Sequence, residues 1–256
     1  MTEAEGRAAL QAAGVETAAR DAQLLWVAAR EDPKQFEAFI TRRGTHREPV
    51  SRILERRAFW EHDFLVTPDV LDPRPDTETL VEHALNANWS TLLDLGTGSG
   101  CIALSLLAAR PEATGVATDI SRPALDTARR NADAMGLLDR VEFTTSNWFS
   151  AVAGQFDLIV SNPPYITADA YRSLDPEVQQ HDPQIALTPG GDGLDAYRVI
   201  IAQAPEFLTP KGHLMVEIGY DQAAPVTALF EAAGFSDIAV ICDINSKERV
   251  IAAVLR

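Results

Sequence analysis

Apolar positions change their spacing along the chain, and the changes divide it. From residue 1 to about residue 58 the chain is rich in Ala, Leu, Gln, Glu and Arg, with Pro33 the only proline before position 49. Leu24, Leu25, Val27 and Ala28, with Trp26, give Asp21–Arg30 one apolar helical face. Asp32 and Pro33 read as the cap and first turn of the next helix, where proline's fixed φ and missing N–H are tolerated. Thr45–Pro49 interrupts the pattern and Ser51–Trp60 resumes it, so residues 1–58 read as a small bundle of short helices. From 59 to 75 two β-prone runs, Phe64–Val66 and Val70–Leu71, flank Thr67-Pro68-Asp69 and predict a hairpin linker. A helix then starts near Asp76 or Thr77. Asp76 and Glu78 suit the free N–H groups of its first turn without any further role.

Over residues 76–256 strand and helix alternate. Strands are predicted at Thr91–Leu95, Thr114–Thr118, Val141–Thr145, Phe156–Val160 and His213–Ile218. Helices are predicted at Cys101–Arg110, Pro123–Met135, Asp195–Ala204 and Gln222–Ala233. Ile238–Ile241 and Val250–Leu255 have no helix between them, so they are expected to pair as a hairpin and leave one antiparallel strand. The result is an α/β fold, a doubly wound and mostly parallel Rossmann-like sheet.

Composition narrows the setting. An apolar share of 46% over 256 residues suffices for a sizeable core. No apolar run is long enough to span a bilayer, and residues 1–20 lack a signal-peptide core, so a cytoplasmic protein without membrane contact is expected. Cys101 and Cys242 lie in apolar segments and read as packed, reduced thiols. The five histidines show no metal-ligand spacing, so no metal is expected. The net charge of −15 is uneven: residues 1–60 hold 10 Lys/Arg against 9 Asp/Glu, and the remainder 12 against 28. Such an acidic body repels a phosphate backbone, which disfavours direct nucleic-acid binding. Arg42, Arg43, Arg47, Arg52, Arg56 and Arg57 cluster at the end of the first segment and read first as a solvated helix face, second as a docking surface.

Candidate chemistry begins after the first predicted strand. Gly96-Thr97-Gly98-Ser99-Gly100 combines backbone freedom with the free N–H groups of a helix start. A dinucleotide loop would place its third glycine one residue later, where Cys101 stands, and Asp94 would repel a pyrophosphate. Asp94 suits the positive aminoacyl and sulfonium end of S-adenosyl-L-methionine, and Asp119 after the second strand suits its ribose hydroxyls. Asn147 and Trp148 follow the third strand; Trp148 either lies against an adenine or packs under its loop. At the end of the fourth strand, Asn162-Pro163-Pro164-Tyr165 forms a stiff turn, because both prolines fix φ and the residue before each is held extended. Asn162, the carbonyl of Pro163 and the ring of Tyr165 make either a simple Pro-rich turn or a clamp for a planar amide or amino group.

Asp94–Gly100, Asp119 and Asn162–Tyr165 together resemble the class I amino-group methyltransferases. Arg47–Val50, Pro73–Glu78, Ser161–Ile166, Gly190–Asp195 and Glu217–Gly219 extend the likeness over nearly the whole chain. Within that group the chain is similar to the peptide-chain-release-factor glutamine N5-methyltransferases, chiefly at Pro73-Arg74-Pro75-Asp76-Thr77-Glu78. It departs from their pattern at Asn147, where Asp is usual, at His181-Asp182-Pro183, where Glu-Pro is common, and at Glu55, often Gly. The resemblance implies S-adenosyl-L-methionine as cofactor, held by Asp94, Gly96–Gly100, Asp119, Asn147, Trp148 and Asn162. It implies as substrate the Gly-Gly-Gln glutamine of class 1 peptide chain release factors, held by Asn162, Pro163, Pro164 and Tyr165. Asn162, Pro163 and Tyr165 would then be catalytic, the N-terminal bundle would help hold the release factor, and a monomer is expected. Arg74 and Glu78 are candidates for the substrate entrance or for structural ion pairs.

Overall fold

In the computed structural model, which describes residues 1–256, α1 (Glu3–Ala12) starts at a reciprocal cap. The Thr2 hydroxyl accepts from the Glu5 N–H, and the Glu5 carboxylate accepts from the Thr2 N–H. Next come α2 (Ala18–Ala28), α3 (Pro33–Thr45) and α4 (Val50–Leu54). Asp32 caps α3 with Pro33 in its first turn, as the sequence predicts. Leu10, Ala22, Leu25, Phe36, Ile40 and Ile53 close a core belonging to these four helices.

The hairpin lies earlier than expected. α4 stops at Glu55, which takes a left-handed φ of 52°, and the chain runs into β1 (Arg56–Phe59) and β2 (His62–Leu65), an antiparallel pair. Ser51–Trp60 is therefore not one helix. Every second residue there faces in, and Phe59 meets Phe64 edge-on at 6.0 Å. Val70–Leu71 forms no strand. Its neighbour Pro68 has no N–H for a ladder, and the Thr67 and Val70 carbonyls accept from the Arg52 guanidinium instead.

A 3₁₀ turn (Pro75–Thr77) leads into α5 (Glu78–Asn86), β3 (Thr91–Leu95), α6 (Cys101–Ala109), β4 (Thr114–Asp119) and α7 (Arg122–Ala134). Then come β5 (Val141–Thr145), β6 (Phe156–Ser161) and three short helices, α8 (Ala168–Tyr171), α9 (Pro176–His181) and α10 (Gln184–Leu187). The chain ends with α11 (Asp195–Phe207), β7 (Leu208–Glu217), α12 (Ala223–Ala232), β8 (Phe235–Cys242) and β9 (Glu248–Leu255). The sheet order is β5-β4-β3-β6-β7-β9-β8, and β9 alone runs antiparallel, set between β7 and the edge strand β8. Leu92, Leu158 and Val160 pack on the face shared with α5 and α6, while Leu93, Leu95 and Ile159 pack on the face shared with α11 and α12. Covering both faces explains why these strands are uninterrupted apolar runs. Each such side chain contributes roughly 1.5–3 kcal/mol by leaving water. Successive strands step one way from β3 and the other way from β6, so a crevice opens where their carboxyl ends diverge.

Two expectations need correction. Cys101 is buried, but Cys242 is exposed on the edge strand, which has a single packed face. The arginine cluster is not a solvated face. Arg43 is buried between Asp21 (2.7 Å) and Glu177 (2.8 Å), and Arg52 is buried against Asp182 (2.6 Å). Arg42 pairs with Glu48 and Arg47 with Glu177. Arg56 pairs with Asp63, and Arg57 donates to the Pro73 carbonyl. Because Glu177 and Asp182 belong to the α8–α10 segment, these pairs fasten that segment to the N-terminal helices.

Candidate active site

The glycine loop turns on three left-handed residues, Gly96 (φ 71°), Gly98 (φ 56°) and Gly100 (φ 83°). At Gly100, which caps α6, a Cβ would stand 2.9 Å from a Leu104 methyl; at Gly98 it would meet open space. Asp94 is fully buried beneath the loop. One of its oxygens accepts from the Thr97 hydroxyl (2.6 Å) and the other has no partner. Burial pushes its pKa up to about 7 against the lowering effect of Thr97. Asp119, at the end of β4, accepts from the Gly98 N–H (2.9 Å) through one oxygen and from the Ser121 N–H (2.8 Å) through the other. Burial raises it as well. Each of its oxygens keeps a lone pair for a ligand.

A cavity of about 380 Å³ fills the crevice. Gly96, Thr97, Gly98, Ser99, Asp119, Asn147, Trp148, Asn162 and Pro164 all line it, so the structure brings most of the expected residues together. Asp94, Gly100, Pro163 and Tyr165 stand behind its wall. Trp148, with a left-handed φ of 52°, packs on the α11–α12 core as one of its two sequence readings has it, and it also lines the cavity. Hydrophobic lining also comes from Ile102, Ile120 and Ile185, which no motif marks.

Asn162 follows β6 directly. Its Nδ2 donates to the Thr77 hydroxyl at 3.1 Å, which leaves Oδ1 without a protein donor. The Pro163 carbonyl likewise receives no hydrogen bond from the protein. Tyr165 donates its hydroxyl to Glu217 Oε1 (3.3 Å) and accepts at its carbonyl from Gln222 Nε2 (3.0 Å). Gly193 lies so close that a Cβ there would stand 2.3 Å from the Tyr165 carbonyl. Burial pushes the Tyr165 hydroxyl well up, so it stays protonated.

Glu78 accepts from the Trp60 N–H (2.8 Å), which makes it a tie between α5 and the hairpin turn. Arg74 lines the cavity and pairs with Asp182 (2.8 Å), the residue that also holds Arg52. Sequence reasoning missed Thr77, Asp182, Gly193 and Glu217 as parts of this site. Thr77, Gly193 and Glu217 lie in the stretches that carry the family likeness, which was the available signal.

Residues 68–192 match the family model of the methyltransferase small domain. The chain is 48% identical to the release factor glutamine methyltransferase of Cereibacter sphaeroides, an alignment covering 96% of this chain and 94% of that one. It is 47% identical to the protein of the same description from Rhodospirillum rubrum (95% and 81%) and 44% identical to that from Agrobacterium fabrum (96% and 93%). Among solved structures it resembles a methyltransferase from Pyrococcus furiosus, with TM-score 0.59 and 18% identity over 77% of this chain and 90% of that one. It also resembles the hMettl16 catalytic domain solved with an RNA hairpin, with TM-score 0.63 and 15% identity over 94% and 82%. Identities this low speak for the shared fold alone. The close relatives go further: matched almost end to end at nearly half identity, the chain belongs to the release factor glutamine methyltransferase family.

Proposed function

We propose that the protein methylates the side-chain amide nitrogen (N5) of the glutamine in the Gly-Gly-Gln motif of class 1 release factors, using S-adenosyl-L-methionine. Beyond family membership, the observation that carries this reading is the Asn162 turn. Asn162 lines the cavity and its Oδ1 has no protein donor, and the carbonyl of the adjoining Pro163 has none either. That pair matches the two N–H bonds of a primary amide.

The residues of the cavity suit the cofactor. Asp119 has free lone pairs for two ribose hydroxyls, Trp148 offers a ring wall beside Asn147, and Gly96 and Gly98 let the backbone approach closely. The orphan oxygen of Asp94 adds negative character beneath the loop, where the cofactor's positive end belongs. The bound cofactor supplies an electrophilic methyl group on a sulfonium. An amide nitrogen is a weak nucleophile because its lone pair is delocalised into the carbonyl. Asn162 Oδ1 and the Pro163 carbonyl orient that nitrogen and stabilise the positive charge that grows on it. Pro164 and the fixed Tyr165 keep the turn rigid, so little reorganisation is needed. No His or Lys lines the cavity, and the surplus proton leaves to water after the transfer.

The N-terminal bundle (1–58) holds the release factor. The protein works as a monomer in the cytoplasm, and the acidic body argues against nucleic acid as a direct partner. The second reading, methylation of another planar amino group, such as a ribosomal-protein glutamine, adenine or guanine, shares the Asn162 chemistry and differs in what docks.

Incubation with labelled methyl donor and a purified release factor is expected to add one methyl to the Gly-Gly-Gln glutamine, located by mass spectrometry. Methyl on another residue, or on added nucleic acid alone, overturns the reading. Asp119→Ala is expected to weaken binding of S-adenosyl-L-homocysteine by about 10- to 100-fold, as loss of hydrogen bonds to a charged group does. Calorimetry checks this, and unchanged affinity removes Asp119 from the ribose role.

A further inference from the structure

We infer that Gln222 is a positioning residue for the methyl transfer, because its side chain fixes the far end of the turn that begins at Asn162. This rests on that turn holding the substrate amide. The near end of the turn is held by the sheet, where Ser161 pairs with Leu95 of β3 and Val216 of β7. Pro163 and Pro164 then supply no N–H with which to anchor the chain. The next fixed point is the Tyr165 carbonyl, which accepts from Gln222 Nε2 at 3.0 Å.

The Gln222 amide has one orientation that satisfies its partners. Gln222 Oε1 accepts from the Gly219 N–H at 3.0 Å, and a backbone N–H can only donate. The Tyr165 carbonyl can only accept, so Nε2 must be the end that turns to it. Gln222 is 8% exposed, so the bridge is largely shielded from water. Although Gln222 stands at the start of α12, its side chain caps no N–H of that helix. It reaches back across the β7–α12 connection to the turn.

Two glycines make room for this bridge. A Cβ at Gly193 would stand 2.3 Å from the Tyr165 carbonyl oxygen and 3.0 Å from Gln222 Nε2. One at Gly219 would stand 2.9 Å from Gln222 Oε1. The stretches Gly190–Asp195 and Glu217–Gly219, which carry family likeness but line no part of the cavity, thereby gain a role. Glu217, the last residue of β7, also takes the Tyr165 hydroxyl at 3.3 Å. Tyr165 is thus gripped at its hydroxyl and at its carbonyl, and the Pro163 carbonyl two residues upstream keeps its place. Neither Gln222 nor Tyr165 lines the cavity, so Gln222 acts on the substrate amide only through the turn. Loss of the bridge lets Asn162 and the Pro163 carbonyl drift from the geometry that methyl transfer requires, and small displacements of that kind cost rate.

The test is steady-state methylation of a purified release factor by Gln222→Met and Gln222→Glu, beside the wild type and Asn162→Ala. Methionine has a similar length and removes both hydrogen bonds. Glutamate keeps an acceptor for the Gly219 N–H but, once ionised, has no donor for the Tyr165 carbonyl. That variant and the wild type are therefore compared at about pH 9.5, above the values that burial gives glutamates. Both variants are expected to lower kcat about tenfold, the size of one hydrogen bond in the transition state. The KM for release factor and the affinity for S-adenosyl-L-homocysteine should stay within about twofold, unlike a general loosening of the site. Wild-type kcat in Gln222→Glu would mean that the Gly219 bond alone matters, and it overturns the inference. A fall in kcat matched by an equal fall in cofactor affinity overturns it too. If Gln222→Met does not fold, Gln222→Glu, which retains the Gly219 bond, decides. If Asn162→Ala is slow while the Gln222 variants are not, this inference alone falls. If Asn162→Ala is also as fast as the wild type, the role of the whole turn falls with it.

Discussion

Replacing Asn162 by alanine lowers kcat by about 10²–10³-fold, as removal of one preorganised polar group from a reacting centre does, and leaves cofactor affinity nearly unchanged. The side chain sits at the carboxyl end of β6, between β3 and β7, where three parallel strands hold its backbone in place. Its Oδ1 has no protein partner, so alanine orphans nothing in the resting protein except the Thr77 hydroxyl. The loss therefore concentrates on the transition state, where the amide nitrogen carries most positive charge. Single-turnover methylation beside calorimetry with S-adenosyl-L-homocysteine separates the two quantities. A variant with near wild-type turnover would sink the assignment.

Arg52→Ala is expected to destabilise the fold by about 3–5 kcal/mol, the usual result of removing one partner from a buried ion pair. Arg52 is 6% exposed and Asp182 8%. Truncation removes the donors of the Thr67 and Val70 carbonyls and leaves Asp182 with Arg74 alone. Ile185, Ala186, Thr188 and Pro189, at the α10 end of that segment, line the cavity, so cofactor affinity is expected to fall too. Arg56→Ala is the matched comparison. Its pair with Asp63 is exposed, and pairs of that kind contribute roughly 0–1 kcal/mol. Urea unfolding of both variants decides the matter, since equal small losses would restore the solvated-face reading of the arginines.

The strands Thr91–Leu95 and Val141–Thr145 match their sequence-based bounds to the residue. Both are short apolar or β-branched runs closed by turn residues. β7 shows where such reading stops. It begins at Leu208, five residues before His213, and contains Pro210, left-handed Lys211 and Gly212. These residues read locally as breakers, yet the irregular register against β6 between Phe156 and Leu158 accommodates them. The hairpin was misplaced for a related reason. Val66 and Val70 look like strand residues because they are buried, and they are buried against Ala124 of α7, which no local pattern reports.

The site divides along the same line. Glycine spacing, Asp94, Asp119 and the Asn-Pro-Pro-Tyr turn were legible, because their chemistry depends on residue type and on near neighbours in the chain. The arginines were not. Arg43 and Glu177, or Arg52 and Asp182, are joined across more than a hundred residues, and a charge in sequence does not say whether it will meet water or a partner. By itself the sequence determined the fold class and which residue types stand at the crevice, since short-range backbone rules and the spacing of apolar runs decide those, and its likeness to known motifs, chiefly at Pro73–Glu78, pointed to the family. Only the tertiary structure decided that Asn162 shows its oxygen rather than its nitrogen. That choice is made by Thr77, 85 positions away in the chain, whose buried hydroxyl takes the Asn162 Nδ2, and no pattern of near neighbours reports such a meeting.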